Sequence, residues 1–206
     1  PVYSPQLHVY PGASTYSYLF SNDVPPFDDP LVRGAFSSAL DRPRVIRETL
    51  TGDELPALTL TPPNHFGHVD GYTAGIGRPY SPTLAQNLLA ASGYTGDPPI
   101  TLMFNTSPFH PDFAAWVRQI WFETLGISVT LEDRDWNSYL DLLRDGLAAE
   151  RPGIFRMGWR SDYPDANNWH REAFGWWRPL NRYDNPAYDA LVDAAAGETD
   201  PAARLA

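Results

Sequence analysis

Cysteine is absent from the 206 residues, which excludes disulfide frameworks, thiolate zinc sites and thiol nucleophiles and leaves the redox compartment open. Lysine is absent too, all 15 basic residues being arginine, so a Gly-rich phosphate loop ending in Lys-Ser or Lys-Thr cannot form. The Gly-x-Ser-x-Gly elbow of common serine hydrolases is also missing. No apolar run approaches the roughly 20 residues that a membrane span needs. Pro1 to Pro11 lack the charged-then-apolar order of a signal peptide, so the chain is expected to be cytosolic or to have lost its export signal. Positive charge is scarce, with 25 acidic residues against the 15 arginines and a net charge of -10. Such a balance repels phosphate backbones and anionic headgroups, so neither nucleic acid nor a membrane surface is an expected partner.

What the chain does contain is 43% hydrophobic residues, enough for a sizeable core. Asp29-Pro30, Ser81-Pro82 and Asn185-Pro186 each pair a capping oxygen with a proline whose missing donor costs nothing in a first helical turn. Apolar residues recur at helical spacing after each of the first two, and most clearly at Phe113, Val117, Ile120, Trp121 and Leu125 before Gly126. Asp41-Arg42-Pro43 starts another helix, and Asp135 to Leu147 and Pro186 to Ala196 add two more. Strand character marks residues 16–20, 100–104, 127–131 and 154–159. The alternation after residue 81 predicts an α/β fold, a mixed sheet flanked by helices. Residues 55–80, rich in proline and glycine, read as a long surface segment within a single unit spanning 1–206. Asp200-Pro201 opens a further helix just before the last residue, so the chain is expected to be an excerpt of a longer protein.

The segment from Phe155 to Trp169 reads FRMGWRSDYPDANNW and resembles the Gly-Trp-x-x-Asp-Tyr segment of the peptide-binding receptors of ABC importers, extracellular solute-binding protein family 5. YLFSNDVPPFDDPLVRGAFSSALDRPRVI, SPTLAQNLLAASGYTG, WFETLGISVTLE and NPAYDALVDAA resemble further segments of that family, in its order. The resemblance covers roughly residues 16–206 and implies one lobe of a two-lobed, periplasmic-binding-protein type II-like fold in which hinge closure traps the solute. It implies capture of di- or oligopeptides outside the cytoplasmic membrane, in the periplasm or lipid-anchored at the cell surface, and delivery to permease subunits. A monomer is implied, with no cofactor and no catalysis. It also implies that Asp162 anchors the peptide's amino terminus and that Trp159 and Tyr163 line the pocket.

Those roles suit the residue types. A carboxylate forms charge-assisted bonds of about 2.7 to 2.9 Å to an ammonium group, and an indole face adds about 0.5 to 2 kcal/mol toward a cation. On residue types alone other readings stand beside this. Trp159 can be a packing residue, Asp162 or Asp165 a helix cap, and Arg160 a counter-charge to Asp162. The seven Trp and eleven Tyr would also suit stacking on sugar rings. The same receptor class holding oligosaccharides is therefore an alternative, and a carbohydrate-active enzyme using Asp133 with Asp135, or Asp162 with Asp165, a further one. His65 and His68 have only Asp70 nearby as a third ligand, so no metal site is expected, and His110 and His170 read as surface or helix-end residues.

Overall fold

The computed structural model describes residues 11–50 and 54–205, where a four-stranded sheet separates two hydrophobic cores. In chain order the elements are β1 (Ser14–Phe20), α1 (Pro30–Ser38), α2 (Arg42–Thr49), α3 (Gly71–Ala74), α4 (Pro82–Ser92), β2 (Ile100–Asn105) and α5 (His110–Leu125). They continue with β3 (Val129–Arg134), α6 (Trp136–Asp145), β4 (Ile154–Arg160), a π-helical segment (Asn168–Ala173) running into α7 (Phe174–Asn181), α8 (Pro186–Gly197) and α9 (Pro201–Arg204). The helix starts follow from the capping pairs. Asp29 Oδ1 accepts from Leu31 N at 2.7 Å, Ser81 Oγ from Leu84 N at 3.4 Å, and Asn185 Oδ1 from Ala187 N and Tyr188 N at 3.1 and 3.2 Å. Gly126, with φ of 71°, ends α5 in the left-handed conformation that a side chain would disfavour.

The strand order is β1-β4-β2-β3. β2 runs parallel to β3 and to β4, whereas β1 is antiparallel to β4 in a register that sets Ser14 opposite Arg160 and Phe20 opposite Ile154. Alternation along each strand sends successive side chains to opposite faces. Ile100, Leu102, Phe104 and Ile154 therefore join Val117, Ile120 and Trp121 of α5 in one core, with Phe36 of α1. Met103, Phe155 and Met157 join Tyr139 and Leu143 of α6 and Trp177 and Leu180 of α7 in the other. Within the first core the buried indole of Trp121 donates to the Phe36 carbonyl at 2.9 Å, tying α5 to α1.

The segment of residues 54–81 is irregular apart from α3, and it runs beside the loop that follows β4. Thr15 Oγ1 donates to Leu60 O at 2.9 Å, Phe66 N donates to Pro164 O at 3.0 Å, and Ala166 N donates to Phe66 O at 2.8 Å. Thr61 within it is buried.

Candidate ligand-binding site

The chain leaves β2 through α5 on one face of the sheet and leaves β4 through the π-helical segment and α7 on the other. β2 and β4 are neighbours, so their following loops diverge and open the sheet edge between the two carboxyl ends. Open α/β sheets bind ligands at such a divergence. Asn105 stands there at the end of β2, and Trp159 to Tyr163 at the end of β4.

Asp162 is exposed, and every ion pair among the described residues is made by other carboxylates. Arg160 therefore does not neutralise it. Trp159 is half-buried, its ring centroid 6.4 Å from that of Trp177 at a right angle, and its indole N–H donates to Asn168 Oδ1 at 2.8 Å. Tyr163 is exposed, and its hydroxyl accepts from Asn167 Nδ2 at 2.9 Å. Asp165 does what Asp162 does not. It accepts from Asn167 N at 2.8 Å and takes both Arg204 Nη atoms at 2.7 and 2.8 Å. Burial would raise its pKa, but the bonds from Arg204 and Asn167 outweigh that and hold the carboxyl below its ordinary range. Asp133 accepts from Thr106 Oγ1 at 2.8 Å and Asp135 caps α6 through Ser138 N at 3.2 Å. All four acids that a glycan-cleaving pair would draw on thus accept hydrogen bonds within the chain, Asp162 from Asn168 Nδ2 at 3.4 Å.

On the opposite face of β4 lies a polar cluster that sequence reasoning missed. The Arg156 guanidinium sits 4.7 Å from the centre of the Tyr16 ring and donates to Asn105 Oδ1 at 3.3 Å, while its buried Nε has no partner. None of the ion pairs among the described residues includes Arg156. His110 contacts the Tyr16 hydroxyl through Nδ1 at 3.3 Å. It is a helix-end residue as expected, but it is buried and not at the surface. Burial, and then the Arg156 charge, push its pKa down to about 4. His170 is likewise drawn inward, with Tyr188 Oη 3.2 Å from Nδ1 and burial lowering its pKa. The available signal for Arg156 was an arginine in register with the core residue Ile154 on a strand of apolar neighbours.

His65 contacts Ser161 Oγ through Nε2 at 2.7 Å, and His68 Nδ1 donates to Thr61 O at 2.7 Å. Among the described residues no group of three His, Cys, Asp or Glu side chains converges as metal ligands would. No helix there is long and apolar enough to cross a membrane. A hollow of about 390 Å³ opens between the end of α2 and the first turns of α5, and another of about 290 Å³ between α7 and α8. Asp162 lines neither of these hollows.

The sequence profile of the bacterial extracellular solute-binding proteins, family 5 Middle, matches residues 3–176. The periplasmic oligopeptide-binding protein OppA of Escherichia coli (strain K12) is 30% identical over 211 residues, covering 98% of this chain and 37% of OppA. The probable deoxycholate-binding periplasmic protein YgiS of the same organism is 32% identical over 215 residues, covering 98% of this chain and 38% of YgiS. Among solved structures, the Escherichia coli murein tripeptide binding protein MppA superposes with a TM-score of 0.81 at 28% identity, over 95% of this chain and 38% of MppA. The chain thus spans a little over a third of the length of these relatives, and its sheet and flanking helices have the architecture of a periplasmic-binding-protein-like lobe.

Proposed function

The chain belongs to the bacterial extracellular solute-binding proteins of family 5, and from that membership we propose that it is one lobe of a receptor that captures peptides outside the cytoplasmic membrane and delivers them to the permease of an ABC importer. The observation that carries this reading is Asp162, an exposed carboxylate without a counter-ion among the described residues, set just past a strand end and close in sequence to the indole of Trp159. A peptide's ammonium group brings one positive charge and three donors, which such a carboxylate accepts. Trp159 and Tyr163 supply aromatic walls beside it. Arg156, which makes no ion pair among the described residues, lies on the same strand and has the sign to attract a peptide's carboxylate.

The names of the relatives extend from oligopeptides and a murein tripeptide to deoxycholate. Charge discriminates among such ligands. A bile acid is an anion that Asp162 repels, and a neutral oligosaccharide leaves the Asp162 charge without use. Capture and release make and break no covalent bond, and the proposal requires neither cofactor nor metal. The receptor acts as a monomer, with the second wall of its site supplied by another lobe.

Calorimetry on the full-length receptor tests the reading with trialanine as the probe. Asp162→Ala removes one partner of a desolvated charge pair and is expected to cost about 2 kcal/mol or more, roughly 30-fold in Kd. Unchanged affinity places the ammonium anchor elsewhere and sinks the proposal.

A further inference from the structure

Asn168 is fully buried, yet its side chain reaches both Trp159 and Asp162. Its Oδ1 accepts the Trp159 indole N–H at 2.8 Å and the Asp162 backbone N–H at 3.3 Å, and its Nδ2 donates to Asp162 Oδ2 at 3.4 Å. An indole nitrogen and a backbone nitrogen can only donate, so the atom facing both must be the amide oxygen. The NH2 group is thereby turned toward the Asp162 carboxylate, and inversion would set it against two donors. The indole, through the amide, therefore dictates that Asp162 meets a donor and remains a fixed acceptor.

The backbone around Asn168 favours this reach. It is the first residue of the π-helical segment, and π-turns inside helices recur at functional sites. Asp165, held by Arg204, accepts the Asn168 backbone N–H at 3.0 Å through its carbonyl, which fixes the start of that turn.

We propose that Asn168 is a positioning residue, touching no ligand, that presets the Asp162 carboxylate and the Trp159 ring for an incoming ammonium group. The inference rests on the peptide-receptor reading above, and the test separates the two. In the full-length receptor, Kd is measured by calorimetry for trialanine and for N-acetyl-trialanine, in wild type and in Asn168→Leu, which keeps the volume and removes both polar atoms. The ratio of the two affinities reports the ammonium contact and is insensitive to the folded fraction. Wild type is expected to favour the free amine by about tenfold or more, and Asn168→Leu to reduce that preference to about threefold or less. In the Asp162→Asn background, Asn168→Leu is expected to change the trialanine Kd by less than about twofold, because a residue acting through Asp162 has nothing left to act on.

A wild-type ratio near one overturns the amino-terminus reading and this inference with it. A large wild-type ratio that survives Asn168→Leu overturns the positioning role alone. Should Asn168→Leu fail to fold, Trp159→Phe tests the same geometry from its other end. It keeps a ring and Asn168 but removes the donor that orients the amide, so it is expected to lower the ratio, and retention of the wild-type value overturns the inference.

Discussion

Asp162 and Asp165 share a side chain and lie three positions apart, and their neighbours assign them opposite work. Arg204, 39 residues beyond Asp165, takes both of its oxygens, whereas among the described residues the Asp162 carboxylate meets only the Asn168 amide, at 3.4 Å. Because the folded-state pKa of Asp165 is lowered, its contribution to stability is present above the unfolded value near 3.8 and is lost as pH falls through the folded value. Asp165→Asn is therefore expected to cost about 1–2 kcal/mol at neutral pH, a modest sum for a pair still partly open to solvent. In urea denaturation across the acid range, that deficit should disappear once the pH drops below the folded pKa. A deficit that persists undiminished would mean that packing, not charge, is what Asp165 supplies. Residue types along FRMGWRSDYPDANNW left both acids open as helix caps, and the family resemblance alone singled out Asp162. The ion pair of Asp165 depends on Arg204, whose proximity no local pattern encodes.

Helix starts were the most legible elements, because capping chemistry is complete within four consecutive residues. Asn185 satisfies two first-turn amides of α8, a helix with no fully buried residue to stabilise it otherwise. Asn185→Ala is expected to lower stability by about 1 kcal/mol, read as a shift in denaturation midpoint, while Asn185→Gly should lower it by only a few tenths. Equal losses would show that the cap bonds are not what holds the start of α8. The helix Phe174–Asn181 was harder to see, since Gly175 and Pro179 both oppose it by propensity. It is held by Trp177 and Leu180, buried in the second core. Strand positions were readable from residues 100–104 and 154–159, but their neighbours in the sheet were not. The antiparallel alignment of β1 with β4 depends on register across the whole chain.

At the scale of the whole molecule, one sheet carries both cores, so neither can open without exposing the other's floor. The chain by itself is expected to unfold in a single transition, with near-ultraviolet and far-ultraviolet dichroism changing together in urea. It is also expected to bind trialanine far more weakly than the full-length receptor, because Asp162 is exposed and the chain spans a little over a third of its relatives' length. Nanomolar binding by the chain alone in calorimetry would show that one lobe suffices. Ligand preference stays illegible in the sequence, since the proposed site takes its second wall from another lobe. The sheet has one more property that bears on how the protein is made. Ser161 meets Ala13 across 148 positions, next to the pairing of the first strand with the last. The strand β1 therefore has no sheet partner until β4 has been made, a pairing of high sequence separation of the kind that slows folding.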